Sequence, residues 1–486
     1  MAHPAPAVRE THSGVVLLLG DRAYKFKKPV DLGFLDFRDV RARVRCCRRE
    51  VELNRRLAPD VYLGVGRLTD PGGRPDEPAV VMRRMPEDTR LSSRLGARAP
   101  VADVIDRLAR IMATFHASAH RGTDIDLAAR PEAIRRRWDA TLADIRRAGA
   151  TVVAAADVDA TERLVHEFLA GRDPLFGDRI RRGRIVDGHG DLLCDDIFCL
   201  PDGPRVLDCL EFDDQLRHVD GLDDIAFLAM DLERLGSPAM ARLLIDRYTG
   251  YANDPAPASL LHHYVAYRAY VRAKVAGLRH RQGDRDAALA ARSLAALALD
   301  HLRTGQVRLI LVGGLPGSGK STVAAGAADA LGGVLLSSDV TRRTAADVED
   351  SDGAPPAGRF EQGIYDHEHT ERTYAELLRR AERSLGAGET VVVDASFIDE
   401  RHRAAAARAA ERTHTRLTAF RCSAPASVRH ERIRRRLPGP SDATPQVADR
   451  MSLRADPWPT AIALATTGSV AATVQRLLRS IPDRVG

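Results

Sequence analysis

The sequence predicts a chain of mixed α/β and α+β class with two domains, at residues 1–303 and 304–486. In the first domain, short runs with alternating apolar residues precede a long, mainly helical stretch that starts near residue 101. This order predicts a small β-rich lobe followed by a larger helical lobe. In the second domain, buried-strand patterns alternate with helical patterns, as in a parallel sheet. Between them, the segment RTGQ at residues 303–306 ends an alanine- and leucine-rich helix and marks the boundary.

The composition is typical of a soluble globular protein. Hydrophobic residues make up 44% and charged residues 29% of the 486 positions, which allows sizeable cores. The 73 lysines and arginines nearly cancel the 67 acidic residues, so the net charge is +6, and aromatic residues amount to only 5%. Proteins that bind nucleic acids rely on strong positive charge and aromatic stacking, so a nucleic acid is a disfavoured partner.

The cysteines and the apolar runs predict a cytoplasmic protein that does not contact a membrane. The six cysteines form no C-x-x-C pair and no zinc-ligand spacing, so we expect reduced thiols. The apolar run at residues 14–19 is too short for a secretion signal, and charged residues follow it almost at once. No apolar run approaches the length that spans a bilayer.

The segment GLPGSGKS at residues 314–321 is a complete phosphate-loop (Walker A) pattern. An apolar run at residues 307–312 predicts a strand before it, and residues 321–330 predict a helix of small residues after it. Glycines let backbone N–H groups approach phosphates, and the helix N-terminus adds partial positive charge. The predicted nucleotide-binding residues here are Gly314, Leu315, Pro316, Gly317, Ser318, Gly319, Lys320, Ser321 and Thr322.

Two side chains of this loop have distinct predicted roles. Lys320 is expected to neutralise the β- and γ-phosphates, and Ser321 to offer its hydroxyl to Mg²⁺. The alternative is a glycine-rich turn that binds nothing, and the complete order of strand, loop, lysine, hydroxyl and helix argues against it. We therefore expect ATP and Mg²⁺ to bind here.

A possible catalytic base follows the next strand pattern. Residues 334–338 predict a strand that ends in Asp339, and Arg342 comes three positions later. A carboxylate at this place can accept the proton of an acceptor hydroxyl, and an arginine can stabilise charge on the transferring phosphoryl group. The alternative is an ordinary aspartate at a strand end beside a solvated arginine.

Further phosphate and metal contacts are predicted later in the second domain. The strand pattern at residues 390–394 ends in Asp394, the usual place for a carboxylate that orients Mg²⁺, although a strand-end cap is the competing interpretation. The arginine-rich helix predicted at residues 428–437 carries Arg432 and Arg436 on one face, before a Pro/Gly loop. Such a helix suits a lid over phosphates, and it is equally consistent with a solvated face.

In the first domain, the segment HGDLLCDD at residues 189–196 has the spacing of a kinase catalytic loop, with a base and a metal ligand. His189, Asp191 and Asp196 take the matching positions, and a strand pattern at residues 205–207 then leads to Asp208, a second predicted metal ligand. Glu211 and Asp213 are close enough in sequence to share that metal role.

Other residues of the first domain complete this predicted site. Alternation along an early strand puts Lys25 on the face opposite Tyr24, and Glu50 lies on the following predicted helix. A lysine–glutamate pair of this kind positions phosphates in kinases; the alternative is a pair of solvated surface charges. Asp224 is expected to hold the catalytic loop, and Arg268 and Arg272 can line a cleft.

These residues resemble the aminoglycoside phosphotransferase and choline kinase family, over about residues 15–302, with its strongest motifs at residues 189–231. The resemblance implies a bilobal, protein-kinase-like fold. It also implies that Asp191 is the base, that Lys25 and Glu50 position nucleotide, and that Asp196 and Asp208 bind Mg²⁺. One departure is that Asp196 stands where the family usually has asparagine.

The second domain resembles the P-loop kinases grouped with polynucleotide kinases and zeta toxins, of AAA type, over about residues 307–478. The fusion of two such domains resembles a family of two-domain bacterial proteins. Together the resemblances imply a bifunctional ATP- and Mg²⁺-dependent kinase that transfers the γ-phosphate to a hydroxyl of a small molecule.

Two alternatives stay open. A first domain that has lost catalysis can sense a ligand and gate the P-loop kinase, and the aspartate at position 196 motivates this hypothesis. A kinase for nucleic-acid ends is suggested by the arginines of the second domain, against the balanced charge and the few aromatic residues. The acceptor and the oligomeric state are not predicted.

Overall fold

The computed structural model describes residues 5–10, 14–30, 36–69, 76–349, 367–436 and 443–482. The described strands are β1 (Ala7–Glu10), β2 (Gly14–Leu19), β3 (Arg22–Lys27), β4 (Tyr62–Leu68), β5 (Glu77–Arg83), β6 (Ile185–Asp187), β7 (Ile197–Leu200), β8 (Gly203–Val206), β9 (His218–Asp220), β10 (Arg308–Gly313), β11 (Val334–Ser337), β12 (Val391–Asp394), β13 (Arg416–Ser423) and β14 (Ile462–Ala465).

The described α-helices are α1 (Val40–Asn54), α2 (Leu91–Gly96), α3 (Ala102–Ser118), α4 (Thr123–Asp126), α5 (Pro131–Ala148), α6 (Ala155–Ala170), α7 (Asp173–Arg181), α8 (Gly221–Arg234), α9 (Pro238–Ala252), α10 (Ala258–Arg281), α11 (Ala287–Thr304), α12 (Lys320–Leu331), α13 (Ser338–Glu349), α14 (His367–Gly386), α15 (Glu400–Arg412), α16 (Ala426–Arg435), α17 (Pro445–Arg454) and α18 (Val470–Arg479). Short 3₁₀ helices occur at Glu87–Thr89, Leu127–Ala129, Cys194–Asp196 and Asp214–Leu216.

The chain divides into two compact units that are not simple sequence halves. The first unit consists of Met1–Arg137, Asp178–Ala256 and Tyr264–Ala298, and the second of Trp138–Gly177, Pro257–His263 and Leu299–Gly486. The second unit thus includes two segments from inside the predicted first domain, and the predicted boundary between residues 303 and 304 stays a prediction.

The first unit begins with an antiparallel sheet in the order β1-β2-β3-β5-β4, with α1 inserted between β3 and β4 in sequence. Alternation along β3 and β5 directs apolar side chains to a shared core. This core contains Val51 of α1, Val80 and Met82 of β5, and Tyr62 of β4. The early strands and the helix were predicted from period-2 and period-3.6 patterns, and these elements are confirmed.

The helical part of the first unit is organised around α8, in which residues 221–232 are all buried. Asp220 caps this helix by accepting a hydrogen bond from the backbone N–H of Leu222 at 2.9 Å. The guanidinium of Arg179 donates two hydrogen bonds to Asp220 and also pairs with Asp254, all three side chains being buried. Two antiparallel strand pairs, β6–β9 and β7–β8, flank this region.

The second unit contains a five-stranded parallel sheet in the order β11-β12-β10-β13-β14. Every residue of the central strand β10 is buried, as expected for a parallel strand covered on both faces. Its core includes Ile310, Val323 of α12, and Leu477 of α18. Because the strands are parallel, their carboxyl ends meet at one edge, which collects the loops after β10, β11 and β12.

Two general expectations can be compared with the structure. All six cysteines are buried and free. Among the residues that the structure describes, no helix combines the length and the apolar character that a membrane crossing requires.

Candidate active sites

The first candidate site is a cavity of about 1030 Å³ within the first unit. It is lined by Lys25 of β3, by Asp191 and Asp196 from the segment between β6 and β7, and by Asp208, which follows β8. The structure therefore brings together the predicted base, both predicted metal ligands and the predicted phosphate-binding lysine.

A cluster of alternating charges holds Lys25 in place. Its Nζ lies 2.9 Å from Glu50 Oε1 and 2.5 Å from Asp208 Oδ1. Lys27, two residues along the same face of β3, lies 2.6 Å from Glu50 Oε2 and also pairs with Glu211. Glu50 is fully buried, so its charge requires these partners. The alternative of solvated surface charges is therefore wrong for Lys25 and Glu50.

The two further acidic residues proposed for the metal have other partners. Glu211 is engaged by Lys27, as described above. The carboxylate of Asp213 accepts a hydrogen bond from the backbone N–H of Gln215 at 2.9 Å and so caps a short 3₁₀ helix. Sequence proximity to Asp208 did not distinguish these local roles from metal binding.

Asp224 of α8 holds the segment that carries Asp191. Its carboxylate accepts hydrogen bonds from the backbone N–H groups of His189 at 2.6 Å and Gly190 at 2.9 Å. It also lies 3.1 Å from Nε2 of His116. These interactions outweigh the effect of burial and hold the pKa of Asp224 well below its usual range. As predicted, Asp224 orients the loop rather than lining the cavity.

Two more carboxylates of α8 secure the same loop. Asp231 accepts a hydrogen bond from the backbone N–H of Cys194 at 2.9 Å. Asp223 binds the guanidinium of Arg268 through two hydrogen bonds of 2.7 and 2.9 Å, and Arg268 donates a third, of 3.2 Å, to the carbonyl of Gly190. Because a single buried helix provides all of these anchors, the position of the catalytic loop depends on the packing of α8.

The carboxylates of the cavity differ in their affinity for protons. Burial raises the pKa of Asp191 to about 6, against the opposing charge of Arg272. Burial and the neighbouring carboxylates Asp208 and Asp191 raise the pKa of Asp196 well above its usual value. Burial would also raise the pKa of Asp208, but the charge of Lys25 outweighs it and lowers this pKa.

This donor set fits a divalent cation. Asp196 and Asp208 both face the cavity and offer carboxylate oxygens to it. Mg²⁺ prefers carboxylate oxygens and usually binds through one or two of them. Asp196 in place of asparagine therefore keeps a usable oxygen ligand and adds one negative charge.

The second candidate site is a cavity of about 600 Å³ within the second unit. It is lined by Lys320, Ser321 and Thr322 at the start of α12 and by Gly317 and Gly319 of the preceding loop. The remaining predicted loop residues complete the turn between β10 and α12, and these are Gly314, Leu315, Pro316 and Ser318. The predicted order of strand, loop and helix is confirmed.

The backbone of this loop requires glycine at two positions. Gly317 and Gly319 have φ values of +74° and +82°, in the left-handed region that L side chains rarely adopt. A Cβ atom on Gly317 would lie only 2.5 Å from the backbone carbonyl oxygen of Arg429. The loop is thus packed tightly where it leads into the N-terminus of α12.

Asp394, at the end of β12, fits a metal-orienting role. Its side chain is buried, and its Oδ1 atom has no hydrogen-bond partner among the described residues. The hydroxyl of Ser337 lies 3.5 Å from Oδ2. Burial raises the pKa of Asp394, while Lys320 and Ser321 lower it. A buried carboxylate oxygen without a partner, beside the loop lysine and serine, suits a Mg²⁺ ion with its water ligands.

Asp339 faces the same cavity, but its local structure differs from the prediction. The strand β11 ends at Ser337, so Asp339 lies in the first turn of α13 rather than at a strand end. The partial positive charge of a helix N-terminus favours an acidic residue there. Arg342 lies one turn later and its Nη1 is 3.3 Å from Asp339 Oδ1, so the two predicted catalytic residues contact each other.

The two predicted lid arginines both line the cavity, although only one is helical. The helix α16 ends at Arg435, and Arg436 is extended, with φ −68° and ψ 132°. The prediction that i, i+4 spacing on one helix places Arg432 and Arg436 together is therefore wrong. The chain leaves the helix just ahead of Pro438, which disfavours helical conformations before it. The Pro/Gly loop at residues 438–442 lies outside the described residues.

Sequence reasoning missed Thr466, which links the lid helix to the phosphate loop. Its hydroxyl donates to the carbonyl of Ser318 at 2.6 Å, and its own carbonyl accepts a hydrogen bond from Arg432 at 2.7 Å. Thr466 follows β14, a short edge strand that was also not predicted. The only sequence signal is the TTGS segment after that strand, at residues 466–469.

Comparisons with known proteins find a match to one part of the chain and a match to nearly its full length. A family profile described as AAA domain matches residues 309–458. An uncharacterized protein of Mycobacterium tuberculosis is 45% identical over 461 residues, which are 95% of this chain and 92% of the relative.

Solved structures also show likenesses. The GDP and kanamycin complex of APH(2")-IIia aligns with a TM-score of 0.41 at 15% identity, over 61% of this chain and 94% of its own. A sugar kinase from Janibacter sp. aligns with a TM-score of 0.28 at 19% identity, over 36% of this chain and 93% of its own.

The fold and the two sites define a kinase-like protein. Its first unit combines a β-rich lobe, a Lys25–Glu50 pair and an aspartate-rich loop in a protein-kinase-like arrangement, and its second unit carries the phosphate loop within the AAA-type match at residues 309–458. The chain belongs to the same family as the mycobacterial protein, which it matches over nearly the full length of both.

Proposed function

We propose that the protein is a two-site phosphotransferase that uses Mg²⁺ and ATP to phosphorylate hydroxyl groups of small molecules. The observation that carries this proposal is the convergence of Lys25, Asp191, Asp196 and Asp208 on one cavity, with Lys25 fixed by the buried Glu50. These are the groups that phosphoryl transfer needs for charge neutralisation, metal binding and proton acceptance.

In the first site, Asp191 is the proposed base. The oxygen of the acceptor hydroxyl forms a bond to the γ-phosphorus, the bond from that phosphorus to the β-phosphate oxygen breaks, and ADP leaves with the bonding electrons. The hydroxyl proton passes to the Asp191 carboxylate, whose pKa of about 6 suits a base near neutral pH. Lys25 neutralises phosphate charge, and Mg²⁺ bound by Asp196 and Asp208 would add positive charge at the phosphate oxygens.

In the second site, the corresponding proton acceptor is Asp339. Lys320 and the loop N–H groups would hold the β- and γ-phosphates, and Arg432, tied to the loop through Thr466, would cover them. Ser321 and Asp394 would hold Mg²⁺, which supplies positive charge to the same phosphates. Arg342, in contact with Asp339, is placed to stabilise negative charge that develops near the base.

The first experiment measures how many molecules of a non-hydrolysable Mg²⁺·ATP analogue bind to one chain by calorimetry. We expect two sites per chain in the wild type. We expect one site per chain in each single variant, Lys320→Ala or Lys25→Ala, because each lysine neutralises phosphate charge in only one site. Lys28→Ala is the matched control, since Lys28 pairs with Glu10 and does not line the cavity. Two sites that persist in Lys320→Ala, or a wild type with no site, would contradict the proposal.

A second candidate function is favoured by Asp196. Burial and the neighbouring carboxylates raise the pKa of Asp196, so a proton competes with a metal ion at this position. The first site can then act as a ligand sensor that gates the P-loop kinase without phosphorylating anything itself. In that case the Lys320→Ala variant would still bind one nucleotide analogue but would phosphorylate no acceptor. The sensor function would be excluded if the Lys320→Ala variant phosphorylated an acceptor and if the added substitution Asp191→Asn abolished that turnover.

A further inference from the structure

One wall of the cavity in the first unit carries positive charge. The helix α10 contributes Tyr267, Arg268, Val271, Arg272, Lys274 and Val275 to the lining. Arg137, whose guanidinium lies 5.9 Å from the ring of Tyr267, adds a further basic group. None of the α10 residues that line the cavity is acidic. This wall begins next to the catalytic loop, because Arg268 donates to the carbonyl of Gly190.

The two arginines of this wall have different environments. Arg268 is buried and its charge is matched by Asp223 through two hydrogen bonds. Arg272, one turn further along α10, is half-buried and has neither a hydrogen bond nor an ion pair to any residue that the structure describes. Its charge nevertheless acts on Asp191. Arg272 therefore lines the same cavity as Asp191 with N–H donors that no described residue occupies.

The acidic groups of the cavity are already engaged. Asp191, Asp196 and Asp208 form the catalytic and metal-binding set described above. The remaining carboxylates of the lining each pair with a basic side chain, namely Glu10 with Lys28, Glu87 with Arg9 and Arg90, and Glu211 with Lys27. A positively charged acceptor would thus meet the charge of Arg272 without a carboxylate reserved for it.

We propose that the acceptor of the first site carries an anionic group, a phosphate or a carboxylate, which Arg272 binds while the acceptor hydroxyl faces Asp191. The inference rests on the proposed function, because it assigns a substrate class to that site. Arginine presents a planar fork of N–H donors that matches phosphate and carboxylate oxygens. The same charge disfavours amines, since like charges brought together in a partly buried site repel strongly. Phosphoryl transfer to such an acceptor would give ADP and a product with two anionic groups.

The test measures binding of inorganic phosphate to the full-length Lys320→Ala variant, saturated with a non-hydrolysable Mg²⁺·ATP analogue. The variant removes the phosphate loop as a competing site, and the analogue occupies the phosphate position beside Lys25. Phosphorus NMR line broadening reports the affinity. We expect one phosphate site that Arg272→Ala weakens at least about tenfold, and that Arg272→Lys weakens less. Arg279→Ala, at an exposed arginine of the same helix that pairs with Asp284, is the matched control and should have no effect.

A turnover arm separates this inference from the proposed function. Glycerol phosphate, glycerate, glycerol and choline are compared as acceptors in the same Lys320→Ala background, which also distinguishes phosphate from carboxylate recognition. We expect an anionic acceptor to be preferred, with a KM that rises about tenfold in Arg272→Ala and an unchanged KM for ATP.

Three results would overturn the inference: phosphate binding that does not depend on Arg272, a preference for choline, or an effect of Arg272→Ala on ATP alone. Phosphate binding through Arg272 without turnover of any acceptor would instead contradict the proposed function while supporting the anion site.

Discussion

The two candidate sites reach similar chemistry from opposite kinds of sequence. In the second unit, the residues of the phosphate loop lie within one strand–loop–helix segment of residues 308–331, where local backbone geometry positions them, and Arg432 approaches from a later helix. In the first unit, Lys25 and Asp208 are 183 positions apart and meet only because a sheet and a buried helix bring them together. The geometry of a site built from contiguous residues depends on its own loop. The geometry of a site built from distant residues depends on the packing of the whole lobe.

The two sites also differ in how their charged side chains are paired. In the first unit, the buried Glu50 is compensated by two lysines, and Lys25 links this pair to Asp208. In the second unit, Asp394 retains an oxygen without a partner among the described residues and Asp339 pairs only with the adjacent helical turn. We conclude that the first site is organised by long-range ion pairs and the second by backbone conformation.

The largest expected effect comes from Asp191→Asn, assayed in the Lys320→Ala background. Removing the proposed base should lower turnover in the first site by about 10²- to 10⁴-fold. Binding of the Mg²⁺·ATP analogue should change little, since Asp191 serves the acceptor hydroxyl. Kinetics with the preferred acceptor and calorimetry with the analogue are the two measurements.

Asp202→Asn is the control for this comparison, because Asp202 is exposed and pairs with Arg205 away from the cavity. If Asp191→Asn kept full turnover, the first site would not use this carboxylate as its base. The two sites would then no longer share the use of an aspartate as the proton acceptor.

A smaller but sharper effect is expected from Gly317→Ala, which tests whether backbone conformation controls the second site. The new Cβ would clash with the carbonyl of Arg429, and the φ of +74° would become strained. Overpacking of this kind costs about 1–3 kcal/mol, so nucleotide affinity of the second site should fall about 10- to 100-fold. Calorimetry in the Lys25→Ala background isolates that site.

Gly250→Ala serves as the matched control, because a Cβ there meets no atom within 4 Å. Unchanged nucleotide affinity in Gly317→Ala would show that the loop adapts, against the rigid geometry described above. A second titration uses Gly317→Ala alone, with Lys25 in place. If the first site of this variant also lost affinity for the nucleotide analogue, the substitution would have unfolded the protein generally.

The smallest expected effect is a shift in pH dependence. Because the pKa of Asp191 is raised to about 6, kcat/KM of the first site should fall as the pH drops through about 6 and the base becomes protonated. Arg272 lowers this pKa, so Arg272→Ala should move the midpoint to higher pH. The profile is measured in the Lys320→Ala background, with Arg279→Ala as the control. A midpoint that stays in place or moves down would contradict the placement of Arg272 beside Asp191.

Particular residues show how far sequence reasoning reached. The phosphate loop, four of the five strands of the parallel sheet and the catalytic-loop spacing were predictable, since each depends on local periodicity or on a short motif. Thr466 and the edge strand β14 were not, because a four-residue strand has little pattern of its own. The roles of Asp231 and Asp223 were not predicted for another reason. Both lie on α8 within its buried residues 221–232, and the role of a buried carboxylate can be assigned only when its hydrogen-bond partners are known.

Sequence alone determined the class of both units, the phosphate loop and the identity of the aspartates around residues 191–208, because these features are encoded by residues close together in the chain. Tertiary structure decided which charges are paired. It assigned Glu211 to Lys27, gave Asp223 to Arg268 and left Arg272 without a partner among the described residues. Electrostatic pairing depends on distances in space and on burial, and neither quantity can be read from the spacing of residues along the chain.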